Sequence, residues 1–131
     1  MGDVVHNTEH EAPNTLYQRG IALFNRGEFF EAHEIWEDLW HACGSPDRRF
    51  YQALIQAAVA AYHWGRGNAA GAKRLYHSGR KYMEPFRPVY MGLVIDVFWD
   101  AMARHLAAAL GEPDAPPAPP PTIALDQPRP L

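Results

Sequence analysis

The sequence predicts an all-α protein, a compact bundle of about five helices, on three observations. Apolar residues recur with the 3.6-residue period of a helix in successive stretches. Glycine and proline punctuate the chain between those stretches, at Gly27, Gly44-Ser45-Pro46, Pro85, Pro88 and Gly111. An offset of 40 residues lays one helix–turn–helix unit on another. The length of 131 residues, with 47% hydrophobic and 21% charged residues, fits a single globular domain with a core of its own.

Helix 1 is expected from Asn14 to Arg26, with Leu16, Gly20, Leu23 and Phe24 on one face and Gly27 as its stop. Helix 2 follows from Glu28 to Ala42. Ser45 is placed as the N-cap of helix 3, with Pro46 at its first position, over residues 46–65. Helix 4 starts near Asn68 and cannot pass Pro85, residues 85–93 are expected as a loop, and helix 5 runs from Val94 to Leu110. The domain division is therefore a loose polar segment 1–12, a helical domain 13–111 and a tail 112–131 that holds eight of the twelve prolines. So proline-dense a tail belongs to no helix, and it is expected to lie extended on the domain or in solvent, or to dock on a partner.

The 40-residue offset aligns residues 25–32 with 65–72, sets Trp36 on Tyr76 and Phe24 on Trp64, and repeats an Arg-Gly turn. Each unit resembles the tetratricopeptide hairpin, in which small residues let two helices approach. Two units are too few for a solenoid, so two stacked hairpins capped by helix 5 are expected.

Composition excludes several functions. A net charge of −3 with scattered Lys and Arg argues against a nucleic-acid binder. The longest uncharged run, residues 50–65, is short for a membrane span and contains Gln52, Gln56 and His63. Cys43 is the one cysteine, which suits a reducing cytoplasm and removes any disulfide framework. The start shows no signal-peptide core, and His6 breaks the myristoylation pattern that Met1-Gly2 begins.

The segment Glu31–Asp38 carries the chemistry. On a helical wheel, at about 100° per residue, Ile35, Leu39, Ala32, Trp36, Phe29 and Trp40 fill one half. His33, Glu37, His41, Glu34, Asp38 and Glu31 fill the other, with Phe30 among them. His33 and Glu37 stand one turn apart at the seam. Helix 3 is apolar nearly all round, apart from a narrow stripe of Gln52, Gln56 and His63, so it reads as the central helix. A buried polar group left unpaired costs about 1–3 kcal/mol, and the stripe is expected to meet His33 and Glu37 across helices 2 and 3.

Three readings of this polar cluster stay open. Imidazole and carboxylate at one-turn spacing can bind a divalent metal such as Zn²⁺, Mn²⁺ or Fe²⁺, with His33, Glu37 and His63 as ligands. The same groups could act as a metal-free acid–base pair or hold a small ligand, or form a structural network that fixes the packing. The zinc-protease pattern His-Glu-x-x-His fails because position 37 is Glu, and a di-iron bundle site lacks acids on helix 3. Ser45 and Ser78 have no His/Asp arrangement at usable spacing. Lys73, Arg74, His77, Arg80 and Lys81 make helix 4 basic, a solvated face or a match for acidic helix 2 of a second copy, which would give a homodimer.

The run Phe24-Asn25-x-Gly27-x-Phe29-Phe30-Glu31-Ala32-His33-Glu34-x-x-Glu37-x-x-Trp40 resembles the signature of the family called domain of unknown function 309. Leu54-Ile55-Gln56-x-Ala58, Tyr62-His63, Gly71-Ala72 and Asp96-Val97 agree in order, so the resemblance covers about residues 15–106. It implies a compact helical bundle of bacteria and archaea and brings no established activity. Carried over residue by residue, it points to His33, Glu34, Glu37, Gln56 and His63. The stretch 90–95 is longer and more apolar than the family's approach to Asp96, and the proline-rich tail lies outside the resemblance. Two classes of function follow: a non-enzymatic interaction module with a structural or ligand-binding cluster, or a small metal-dependent or acid–base enzyme, hydrolase-like, using His33, Glu37 and His63.

Overall fold

A computed structural model describes residues 12–44 and 46–126. The expected cap at Ser45, the segment 1–11 and the last five residues lie outside these. The described chain folds into five helices: α1 (Pro13–Asn25), α2 (Phe29–Ala42), α3 (Asp47–Gly65), α4 (Ala69–Met83) and α5 (Ile95–His105). A 3₁₀ turn, Glu84–Phe86, and a two-stranded antiparallel hairpin, β1 (Val89–Tyr90) and β2 (Leu93–Val94), connect α4 to α5. The all-α bundle read from the sequence is the fold. α3 is its centre, packed between α2 and α4, while α1 packs on α2.

The connections α1–α2 and α3–α4 are the same turn made twice. Arg26 (φ −89°, ψ 1°) and Arg66 (φ −103°, ψ 13°) end α1 and α3, and Gly27 and Gly67 follow at φ 80° and 79°. That left-handed conformation is open to glycine at no steric cost, which is why both turns are Arg-Gly. Glu28 N–H then donates to the Leu23 carbonyl (2.9 Å), and Asn68 N–H to the His63 carbonyl (2.8 Å), closing the carbonyl ends of the preceding helices. Asn68 also caps α4, its side-chain oxygen accepting from Gly71 N–H at 2.9 Å.

Small residues set how closely the helices approach. A β-carbon at Gly20 would lie 2.0 Å from Trp36 Nε1, so only glycine admits that indole. Trp36 is fully buried and donates to the Tyr17 carbonyl at 3.3 Å. Ala53, Ala57, Ala60 and Ala72 are likewise buried, around a core that also holds Phe24, Tyr51, Leu54, Trp99 and Met102. Trp36 and Trp99 are core residues, whereas Trp40 and Trp64 are only partly covered.

Three expectations are corrected. Residues 85–93 are not a plain loop, because Met91 (φ 48°) and Gly92 (φ 79°) form the left-handed pair that closes a two-residue hairpin, with Tyr90 facing Leu93. α5 starts at Ile95 and ends as regular helix at His105, five residues before the expected Leu110, and residues 106–111 continue in turns. Pro46 sits at the cap of α3 rather than at its first helical position.

Beyond α5 the chain doubles back over the helices. His105 Nδ1 meets the Ala118 carbonyl at 2.9 Å, Pro121 and Ile123 are buried, and Asp126 N–H donates to the Gly92 carbonyl at 2.6 Å.

Candidate functional site

The sequence-selected residues occupy two different seams. On α2, the helical turn sets His33 one turn after Phe30 and one turn before Glu37. His33 Nδ1 lies 2.7 Å from the Phe30 carbonyl, and a carbonyl can only accept, so Nδ1 carries the proton. His33 Nε2 faces Glu37 Oε1 at 3.6 Å, an ion-pair rather than a hydrogen-bond distance. The His33 side chain is 16% exposed and that of Glu37 49%, so the pair opens on solvent at its acid end. The Phe30 ring, 44% exposed, stacks between His33 (centroids 5.0 Å apart) and Tyr62 of α3 (5.4 Å). Glu34 is half-buried and has interactions of its own, as does Asp38.

The stripe on α3 turns the other way, toward α4. A β-carbon at Gly79 would lie 3.2 Å from Gln56 Cβ and 2.7 Å from the Trp99 ring, so Gln56 stands at the close crossing of α3 and α4. His63 packs on Gly71, and its Nδ1 lies 3.3 Å from the Asn68 side-chain amide that caps α4. Gln52, one turn before Gln56, is half-buried. The expected meeting of Gln56 and His63 with His33 and Glu37 is not among these contacts. A helical wheel gives the angle of a stripe but not its neighbour, and α3 has a helix on each side. The glycines of α4 bring α4 against the stripe.

Gln56 Oε1 and Trp99 Nε1 are buried and make no hydrogen bond to a protein group among the described residues, and both residues border Gly79. Among the described residues, no three His, Cys, Asp or Glu side chains gather as they would around a metal ion.

Other polar groups are engaged at the opposite end. Arg80 donates to the Tyr76 hydroxyl (2.6 Å) and to Asp100 (2.7 Å), and Arg87 donates to Asp96 (2.7 Å). Lys73, Arg74, His77 and Lys81 remain exposed along α4. Tyr17 and Tyr51 converge on Met91, through its carbonyl (3.1 Å) and its sulfur (3.6 Å). Burial pushes both phenols above the usual tyrosine range.

One arrangement carried no sequence signal. Asn25, the last residue of α1, donates from Nδ2 to the Ile123 carbonyl (2.9 Å) and accepts from Ile123 N–H at Oδ1 (2.7 Å). Asn25 stands in the signature run, but nothing in the local pattern ties it to a residue 98 positions later.

Residues 17–75 match the family described as a domain of unknown function (DUF309). The match includes His33, Glu34, Glu37, Gln52, Gln56 and His63 and stops short of α5, a narrower span than the residues suggested. A 49-residue stretch is 49% identical to the uncharacterized protein YpuF of Bacillus subtilis (strain 168). That stretch is 37% of this chain and 28% of the relative, so the likeness spans little more than a quarter of that protein.

Proposed function

We propose that this chain is a non-enzymatic helical interaction module, in which His33, Glu34, Glu37, Gln52, Gln56 and His63 serve the architecture and the exposed helix faces serve partners. The observation that carries this reading is the division of those residues between two seams. His33 binds the Phe30 carbonyl of its own helix, and His63 reaches the Asn68 cap. Acid–base or metal chemistry needs several groups within about 3 Å of one reacting atom, whereas among the described residues His33 has only Glu37 facing its free nitrogen, at 3.6 Å, and His63 turns to the Asn68 cap.

The module is a helical domain, residues 13–111, followed by the tail 112–131. The repeated Arg-Gly turn supports two tetratricopeptide-like hairpins, α1–α2 and α3–α4. No helix among the described residues is long and apolar enough to cross a membrane. The lone cysteine fits the cytoplasm. The exposed Phe30 beside Glu31 and Glu37 suits a basic partner, and the basic face of α4 in a second copy has that chemistry.

Elemental analysis of protein purified without a metal-chelating tag tests the reading. The expected content of zinc, manganese and iron is far below one equivalent. Metal near one equivalent, abolished by His33→Ala with Glu37→Ala, would overturn it in favour of a metal-dependent, hydrolase-like enzyme.

A further inference from the structure

The tail is held as a peptide ligand is held. The Asn25 side chain offers one donor and one acceptor to the two backbone groups of Ile123, the pattern that one strand offers its neighbour. Such a clamp reads extended backbone and no particular side chain. The side chain it presents, Ile123, is 5% exposed, and Pro121 two positions earlier is also buried. Two positions later, Leu125 packs partly buried at the hairpin turn, where a β-carbon at Gly92 would lie 3.1 Å from its own. Residues at i, i+2 and i+4 are thus turned inward, the period of an extended chain.

The geometry along α1 agrees. From Asn25 back to Tyr17 a helix covers about 12 Å, and from Ile123 to Asp126 an extended chain covers about 10 Å. Tyr17, Gln18 and Asn14 do lie beside Leu125 and Asp126, around a cleft of about 360 Å³ closed on its other side by Met91 and Gly92. The tail therefore runs antiparallel to α1, and beside Leu125 it leaves open a space that a larger side chain could fill.

We propose that this groove, built from α1 and the hairpin turn, is a receptor for extended peptides and that residues 121–126 are its resident ligand. The partner is a protein segment of the same chemistry: a proline, a branched aliphatic residue two positions on, and a large apolar residue two positions after that. This rests on the interaction-module reading and names the partner class. The tethered tail competes at an effective concentration on the order of millimolar, so a partner gains the groove only when its segment outbids the tail or the tail is drawn away. The tail is then a strap that tunes access.

The probe is a fluorescently labelled peptide of residues 118–126, titrated by anisotropy into three full-length proteins. Ile123→Asp, which places a charge in the aliphatic site and so ejects the resident, should bind the peptide saturably. The unaltered protein should bind at least about tenfold more weakly, because its own tail competes. Adding Asn25→Ala to Ile123→Asp should again weaken binding at least about tenfold, with helix content by circular dichroism unchanged.

Equal affinity in all three, or no binding by a folded Ile123→Asp protein, would overturn the proposal. Should either variant fail to fold, the unaltered chain decides. Excess unlabelled peptide must then speed hydrogen exchange at the Ile123 amide, and an unchanged rate sinks the idea. Concentration-dependent doubling of mass in the unaltered protein, lost in Ile123→Asp, would replace the peptide partner by tail exchange between two copies. Metal content has no bearing on any of these readings, so this proposal and the broader one fail separately.

Discussion

The polar face of α2 and the strap on α1 both place hydrogen-bonding groups near the surface, but they work over opposite ranges. On α2, His33 answers to Phe30 three residues before it and to Glu37 four residues after. At the strap, Asn25 answers to Ile123, and Gly92 answers to Asp126 across a different loop. Contacts within one helix form wherever that helix forms and say little about the rest of the molecule. Contacts between distant segments exist only in the folded chain, so they can specify it, gate it or be competed away. The difference places the specification of the fold on long-range contacts, while the contacts that His33 makes within α2 hold only that helix's own turns.

If long-range contacts carry the fold, the largest loss should come where two helices touch most tightly. Gly20→Ala puts a methyl group into the Trp36 indole, which is buried and bonded to the Tyr17 carbonyl. Either the indole moves and loses that bond, or α1 lifts off α2. The expected cost in urea unfolding is about 3 kcal/mol, the upper part of the usual overpacking range. Gly65→Ala is the control, since a β-carbon there meets nothing within 4 Å, and it should stay within about 0.5 kcal/mol. Equal effects at the two glycines would mean that the α1–α2 crossing is looser than its geometry requires.

Gly20 also shows what was legible in the sequence. Its place on the apolar face of helix 1 was readable, as were four helices to within a residue or two, because period and punctuation are local signals. The apolar half of α2 was readable too, and Ala32, Ile35, Trp36 and Leu39 are its buried residues. The partner of the α3 stripe was not, since Gln56 and His63 turn to α4 only because Gly71 and Gly79 admit them. The hairpin at 89–94 was hidden by its shortness: two-residue strands have no period, and Met91-Gly92 is a weaker turn signal than Asn-Gly. The Asn25 clamp was invisible for the same reason that makes it informative, its span of 98 residues.

A smaller effect should appear in alkaline solution, beneath the strap. Tyr17 and Tyr51 are each 1% exposed. Burial raises both phenols in the folded protein, and each is raised further by its titratable neighbours, Tyr51 beside Tyr17 and Cys43 beside Tyr51. The unfolded phenol titrates near 10. The contribution to stability is therefore complete below about pH 10 and is lost as pH rises toward the folded value, at up to about 1.4 kcal/mol per unit per tyrosine. Thermal unfolding followed from pH 8 to 11 should show this decline. Tyr17→Phe should start about 1 kcal/mol lower at neutral pH, having lost its bond to the Met91 carbonyl, and should fall less steeply above pH 10. An unchanged slope would move the alkaline sensitivity to other groups.

The smallest effect is expected on α2 itself, and it bears hardest on the comparison. Glu37→Gln removes a charge that stands 3.6 Å from His33 with half its side chain in water. Exposed pairs of this kind, one turn apart on a helix, contribute a few tenths of a kcal/mol and weaken with salt. His33→Ala loses more, about 1 kcal/mol, because the bond to the Phe30 carbonyl and the packing on the Phe30 ring go with it. Combined in a double-mutant cycle, the two changes should couple by less than about 0.5 kcal/mol in low salt and by nothing measurable in 0.5 M sodium chloride. A coupling above about 1.5 kcal/mol that survives salt would mean that His33 and Glu37 act as a desolvated unit. The acidic face would then be a site rather than a surface, and the acid–base reading of this protein would have to replace the interaction module.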